Sequence, residues 1–200
     1  AELLFPQSPW AAKSAIMAAY AYYTQDYYTD SIYELERYLS TYPKHKDKVY
    51  AHFLLGMIFY EQIVDEKKDL KSILNAKEEF LFIIREYPNS EFAMNAKFKI
   101  NLIDEILAAK EMYLGRYYLN KSKWIPALNR FKEVINEYNT TIYVEEALHR
   151  LVEVNYRLGL AEESKKYANI LGYNYQSSEW YKNTFRVFNK DYRDSIKELQ

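Results

Sequence analysis

Residues 114–139 constrain the fold of this chain more than any other stretch, because they contain two helix-forming segments joined by a polar turn at residues 120–122. The small residues Gly115 and Ala127 would allow the two helices to approach each other closely. The space beyond them would be filled by three aromatic side chains: Tyr118, Trp124 and Phe131. One such hairpin cannot bury both of its apolar faces, so the sequence predicts neighbouring hairpins of the same kind.

The spacing of these residues is typical of the tetratricopeptide repeat (TPR), with Asn139 at a position where Pro is usual. A recurring boundary supports this interpretation: an aromatic residue, Pro or a substitute, and a Ser or Thr two positions later. Pro ends the preceding helix, and the hydroxyl caps the next one. Full copies occur at residues 5–10 and 87–92, degenerate copies at 138–143 and 175–180, and a partial copy at 42–43.

We therefore predict an all-α fold, a TPR-like α-solenoid of helical hairpins with one long central helix. Turn signals are missing between Ser90 and Asn120, so residues 91–119 are predicted to form one helix, about 45 Å long. A charged loop is expected at residues 65–69. The 200 residues are expected to form a single superhelical domain with four parts: the tail of an incomplete preceding repeat (1–8), N-terminal repeats (9–88), C-terminal repeats (90–175) and a terminal helix (178–192).

Composition excludes several classes of function. The net charge is −1, with 27 basic and 28 acidic residues in mixed order, which argues against a nucleic-acid-binding surface. The sequence has no Cys, which excludes disulfides and thiolate metal sites within it. No run of 18 apolar residues occurs, so no membrane-spanning helix is predicted.

Catalytic motifs are also missing. Among the three His residues, only His149 has an acidic neighbour at helical spacing, Glu145, and we interpret this as a surface pair rather than a metal site. The carboxylate doublets at 78–79 and 145–146 are expected to be solvated. No phosphate-binding loop, nucleophile motif or dinucleotide fingerprint is present. The sequence therefore predicts a protein that is not an enzyme and that uses no cofactor or metal.

Tyrosine is unusually frequent, at 22 residues. Most of these rings are expected in the core, where a ring packs between helices while its hydroxyl reaches solvent. The remainder are expected to line a concave groove with few charges, suited to an extended or β-prone peptide. The candidates for this groove are Tyr20, Tyr23, Tyr27, Tyr28 and Tyr117.

Several stretches together resemble the BamD (ComL) family of outer-membrane assembly lipoproteins, over roughly residues 6–175: PQSPWAAKSAIMAAYAYY, LERYLSTYP, YAHFLLGM, REYPNSEFAMNAK and YYLNKSKWIPALNRFKEVINEY. The resemblance implies a periplasmic scaffold tethered to the outer membrane by a lipidated N-terminal Cys, which lies outside this sequence. The scaffold would belong to the β-barrel assembly machinery, together with further lipoproteins. We expect the 200-residue chain itself not to bind membranes, which liposome co-sedimentation would test.

The same resemblance implies the binding sites. The C-terminal half would bind the POTRA domains of BamA through Arg130, Tyr117 and Tyr118, and the N-terminal repeats would receive the targeting strands of unfolded outer-membrane proteins. An intrachain ion pair from Arg130 to Glu133 or Glu137 is the alternative for this arginine. A TPR adaptor in another envelope or cytosolic complex is the alternative function. A lipobox Cys upstream of these residues would distinguish the two functions.

Overall fold

The structure, a computed structural model, describes residues 2, 4–5, 8–63 and 70–188. These residues contain nine α-helices and no β-strand, which confirms the predicted all-α class. Within the described ranges, no helix combines the length and the hydropathy that a membrane span requires. The helices are α1 (Pro9–Tyr23), α2 (Tyr28–Thr41), α3 (Lys48–Glu61), α4 (Leu70–Glu86), α5 (Glu91–Asn120), α6 (Trp124–Glu137), α7 (Val144–Arg157), α8 (Ala161–Asn174) and α9 (Glu179–Phe188).

The helices form hairpins, and the second helix of each hairpin buries the same positions. Each of these helices buries a small residue, and apolar or aromatic side chains follow it one and two turns later. In chain order the buried sets are Ser31, Leu35 and Tyr38; Ala76, Phe80 and Ile83; Ala127, Phe131 and Val134; and Ser164 with Leu171. This repetition confirms the predicted TPR-like hairpins.

Two hairpins contain a glycine–phenylalanine contact. A Cβ atom added to Gly56 in α3 would lie 2.7 Å from the Phe80 ring of α4, and one added to Gly115 in α5 would lie 2.5 Å from the Phe131 ring of α6. Both phenylalanine side chains are fully buried. The close approach predicted at Gly115 is therefore confirmed, and any larger residue there would displace a core ring.

Hydroxyl caps are present at Ser8 and Ser90, as the sequence predicts, whereas α7, which follows the degenerate copy at 138–143, has no side-chain cap. The Ser8 hydroxyl accepts a hydrogen bond from the Trp10 N–H at 3.2 Å. Ser90 accepts one from the Ala93 N–H at 3.1 Å, at the start of α5. Helix α5 then continues without interruption for 30 residues, which confirms the long helix.

The chain divides into two compact units, residues 1–103 and 104–200, and the boundary falls inside α5. The single-domain expectation stays a prediction. The N-terminal unit has its core between α1, α2 and α3. In the C-terminal unit the core extends through α6, α7 and α8, and α9 packs on α7. The predicted loop at 65–69 and the end of the terminal helix beyond residue 188 lie outside the described residues.

Candidate functional site

Arg130 lies on a side of α6 that differs from its buried face. Its neighbours Ala127 and Phe131 are fully buried, whereas the Arg130 side chain is 43% exposed. The Arg130 guanidinium donates through Nη1 to Glu111 Oε2 of α5 at 3.0 Å, and the Glu111 side chain is only 15% exposed. Arg130 is therefore anchored on one side and open to solvent on the other.

This ion pair corrects one expectation from the sequence. The intrachain alternative for Arg130 was a pair with Glu133 or Glu137, but the partner is Glu111. The physical reason is that helical side chains lean toward the N-terminus of their own helix. Arg130 therefore leans away from the acidic residues that follow it and meets a side chain of the preceding helix instead.

Tyr117 and Tyr118 are adjacent in α5 but have different environments. Tyr117 is 51% exposed, whereas Tyr118 packs partly against the C-terminal core. Their ring centroids are 5.6 Å apart in an edge-on arrangement. Tyr118 shares with Arg130 a cavity of about 400 Å³, here called the Arg130 cavity, whose lining residues are Tyr118, Ile125, Pro126, Asn129, Arg130 and Glu133. The structure thus brings Tyr118 and Arg130 together, while Tyr117 lies outside this lining.

Three of the four N-terminal candidates form a cluster, here called the tyrosine cluster and defined as Tyr20, Tyr23 and Tyr28. Their ring centroids are 6.2 Å apart for Tyr20 and Tyr23, and 6.4 Å apart for Tyr23 and Tyr28. The fourth candidate, Tyr27, is 56% exposed and precedes α2. The four candidates therefore comprise two exposed rings, Tyr20 and Tyr27, and two less exposed rings, Tyr23 and Tyr28.

Glu61, an acidic residue that the sequence pattern does not indicate, contacts two of the three rings of the tyrosine cluster. The Tyr23 hydroxyl donates to Glu61 Oε1 at 2.7 Å, and the Tyr28 hydroxyl lies 3.4 Å from Glu61 Oε2 and 3.2 Å from Asp26 Oδ1. Burial, followed by the hydrogen bond to Glu61, raises the pKa of Tyr23 above its usual value. The surface is thus more charged than expected. No local signal identifies Glu61, because it lies 38 residues from Tyr23.

His149 occupies a different position from the one expected. It is 4% exposed, not a surface residue, because α9 covers it. Its Nδ1 lies 2.8 Å from Thr184 Oγ1, its Nε2 lies 3.7 Å from Glu153 Oε2, and its ring centroid is 5.3 Å from that of Trp180. Burial lowers the pKa of His149. Within the described residues no group of three or more His, Asp or Glu side chains could hold a metal ion.

The carboxylate doublets are only partly solvated, which corrects a further expectation from the sequence. Glu79 Oε2 lies 2.7 Å from His52 Nδ1. Glu146 accepts two hydrogen bonds from Arg116 at 2.9 Å and also pairs with Arg150 at 3.4 Å. Glu79 and Glu146 therefore connect helices rather than facing water, and they stabilise the fold.

Residues 1–171 match a protein family described as outer membrane lipoprotein, YfiO. The chain belongs to this family. It is 38% identical over 184 residues to the outer membrane protein assembly factor BamD of Caulobacter vibrioides. The aligned region covers 92% of this chain and 60% of that protein. It is 36% identical over 189 residues to the protein of the same name from Rickettsia prowazekii, covering 94% and 75% respectively.

A third relative, the outer membrane protein assembly factor BamD of Neisseria gonorrhoeae, is 30% identical over 166 residues, which cover 78% of this chain and 62% of that protein. The predicted membership of the BamD family is thereby confirmed. The chain spans 60% of the length of the Caulobacter relative.

Proposed function

We propose that this chain acts in outer-membrane protein assembly, as a non-enzymatic scaffold and substrate-recognition subunit of the β-barrel assembly machinery. The observation that carries the proposal is its 38% and 36% identity to two proteins named outer membrane protein assembly factor BamD. The full-length protein would lie at the periplasmic face of the outer membrane, held by an N-terminal lipid. Its partners would be the POTRA domains of BamA, other lipoproteins of the machinery and unfolded outer-membrane proteins.

The Arg130 cavity supports the first partner. A guanidinium has five N–H donors in a planar fork, and Glu111 accepts from only one nitrogen of Arg130. The outer edge of this fork can therefore bind a carboxylate of the POTRA surface in a bidentate manner. Exposed Ile125 and partly buried Tyr118 supply apolar area around it, and Tyr117 extends that area along α5. A partly exposed arginine beside an aromatic side chain is typical of residues that dominate binding energy.

Replacing Arg130 tests this proposal. Arg130→Leu is expected to weaken binding to the POTRA domains of BamA from the same organism by ~2–5 kcal/mol, because a carboxylate of the partner would stay buried and unpaired. Isothermal titration calorimetry measures the affinity, and a thermal melt of each variant reports folding. The expected change in stability is about 1 kcal/mol or less, since the lost ion pair is partly exposed.

A matched control is Arg85→Leu in α4. Arg85 is 73% exposed, pairs with the adjacent Glu86 and lies over the Phe82 ring, so its loss removes the same charge from the N-terminal unit. Affinity for the POTRA domains should stay at the wild-type value in this variant. An Arg130→Leu chain that binds as tightly as the wild type would remove Arg130 from the interface.

The tyrosine cluster supports the second partner, an extended segment of an unfolded outer-membrane protein. Tyr23 and Tyr28 are held by Glu61, and they form a rigid base beside the exposed rings of Tyr20 and Tyr27. Rigid aromatic rings give contact area at a low cost in conformational entropy. An extended peptide can place alternate side chains against such rings while its backbone hydrogen-bonds to polar groups nearby.

We expect the double variant Tyr20→Ala, Tyr27→Ala to weaken peptide binding by ~1–3 kcal/mol, which is the sum for two aromatic contacts. A labelled synthetic peptide with the sequence of the last strand of an outer-membrane β-barrel protein serves as the probe in fluorescence anisotropy. Tyr33→Ala in α2 is the control, because Tyr33 is 65% exposed and lies outside the cluster. Equal losses in the double variant and the control would locate the peptide elsewhere.

A further inference from the structure

The α3–α4 and α5–α6 hairpins carry equivalent cross-helix contacts between a basic and an acidic residue, with the two residue types exchanged between the helices. Each contact involves two residues that are placed in the same way relative to the glycine–phenylalanine contact. One lies four positions before the glycine, and the other lies one position before the phenylalanine. These residues are His52 and Glu79 in the α3–α4 hairpin, 2.7 Å apart, and Glu111 and Arg130 in the α5–α6 hairpin, 3.0 Å apart. The basic side chain therefore lies on the first helix in one hairpin and on the second helix in the other.

The two pairs differ in what covers them. Two positions after the phenylalanine, the α3–α4 hairpin has Phe82, whose ring centroid is 4.1 Å from that of His52. At the equivalent position the α5–α6 hairpin has Glu133, which is exposed and lines the Arg130 cavity. An aromatic side chain thus closes the first pair, whereas a carboxylate leaves the second pair open to a partner.

Acidic side chains outnumber basic ones around the Arg130 cavity. Arg130 is its one basic lining residue, and Glu111 already neutralises part of that charge. Glu133 forms no hydrogen bond or ion pair with any other described residue that would neutralise its own charge. The nearby Tyr138 reports the same imbalance, because burial and then Glu133, Glu111 and two further carboxylates raise its pKa to about 12. A partner surface that carried only carboxylates would be attracted by Arg130 and repelled by Glu133.

We propose that the partner surface bound at the Arg130 cavity carries a carboxylate and a basic side chain side by side, the carboxylate on Arg130 and the basic group on Glu133. An aliphatic side chain between them fills the cavity against Ile125 and Pro126. Glu133 then determines specificity, since it rejects a surface that is acidic throughout. This inference rests on the proposed function, because it names the chemistry of the surface that Arg130 recognises.

Two replacements of Glu133 test the inference by calorimetric titration with the POTRA domains of BamA from the same organism. Glu133→Gln should weaken binding by roughly two- to fivefold, the range for an ion pair at an accessible interface. Glu133→Arg should weaken it by about tenfold or more, because it places like charges opposite each other. The loss in Glu133→Arg should shrink in higher salt. Glu163→Arg is the control, since Glu163 is exposed in α8 and the variant makes the same change in net charge.

The outcomes separate this inference from the proposed function. Weaker binding in both Glu133 variants, with wild-type binding in Glu163→Arg, supports the inference. Wild-type or tighter binding of Glu133→Arg overturns it, and if Arg130→Leu still loses affinity, the proposed function stands. Wild-type binding of Arg130→Leu overturns both. Glu133 is exposed, so the melting temperatures of its variants should match that of the wild type and exclude unfolding as the cause.

Discussion

In the N-terminal unit, Phe80 packs on Gly56 across the α3–α4 hairpin, and in the C-terminal unit Phe131 packs on Gly115 across the α5–α6 hairpin in the same way. The surfaces above these contacts differ. The His52–Glu79 pair has side-chain exposures of 14% and 22%, whereas Arg130 of the other pair is 43% exposed. The two hairpins therefore share their core geometry, whereas the polar residues outside the core differ. We therefore expect replacements on the surface of the α5–α6 hairpin to change partner binding, and replacements in the core of either hairpin to change folding.

Removing the two rings should have the largest effect. We expect Phe80→Ala and Phe131→Ala each to lower the free energy of unfolding by ~3–5 kcal/mol, because each leaves a large cavity in a fully buried site. Urea unfolding followed by circular dichroism measures the change. Phe98→Ala is the control, since Phe98 is 62% exposed and its loss should cost about 0.5 kcal/mol or less. If only one of the two core variants lost much unfolding free energy, the two hairpins would not be equivalent.

Adding a methyl group to the glycines should have a smaller effect. Gly56→Ala and Gly115→Ala are each expected to destabilise by ~1–3 kcal/mol through overpacking against the facing ring. Part of this cost is offset by the higher helix propensity of alanine, which is about 1 kcal/mol. A double-mutant cycle of Gly115→Ala with Phe131→Leu should show coupling, because the smaller side chain leaves room for the methyl group. Additive effects would mean that the ring and the glycine do not constrain each other.

Acid should weaken the C-terminal unit through His149. Burial lowers the pKa of His149, with Glu153 opposing and Arg150 reinforcing the shift, so the unfolded chain binds more protons than the folded one below about pH 6.5. The stabilising contribution of neutral His149 is therefore present above that pH and is lost as the pH falls through it. Replacing His149 by Asn should reduce this pH dependence and cost about 1 kcal/mol at neutral pH through the lost hydrogen bond to Thr184.

Thermal melts of the wild type and His149→Asn between pH 7.5 and 5.5 measure this effect. Trp180 packs on His149, so its fluorescence in a Trp10→Phe, Trp124→Phe background reports the α7–α9 contact. The N-terminal unit supplies the contrast: a variant that destabilises it, such as Phe80→Ala, should keep the pH dependence of the wild type. Identical pH profiles for the wild type and His149→Asn would contradict the assignment to His149.

Breaking the cross-helix pairs should have the smallest effect on stability. We expect Glu79→Gln to cost about 1 kcal/mol and Arg130→Gln about 0.5 kcal/mol, because the Arg130 pair is the more exposed and solvent screens it. Chemical denaturation in low and high salt measures both variants. A larger loss of unfolding free energy for Arg130→Gln than for Glu79→Gln would mean that Arg130 is mainly structural. The proposed difference between the covered His52–Glu79 pair and the exposed Glu111–Arg130 pair would then be wrong.

Much of the architecture follows from the sequence alone. The alternation of small and aromatic residues predicts which face of each helix is buried, and the Pro and Ser boundaries predict where helices end. The long α5 follows from the lack of turn signals over residues 91–119, and the family follows from the repeat stretches. These features are local, because hydrophobic periodicity and capping depend on residues within one or two turns of each other.

The polar partners were decided only by the tertiary structure. Glu111 lies 19 residues from Arg130, Glu61 lies 38 residues from Tyr23, and Thr184 lies 35 residues from His149. Periodicity in one helix records which of its faces is apolar, but it does not record which polar atoms of another helix will lie opposite. Those partners depend on how two helices pack and on the direction in which each side chain leans. The sequence therefore determined the hairpins and their cores, and the packing of helices distant in sequence determined which charged groups are closed and which are open to a partner.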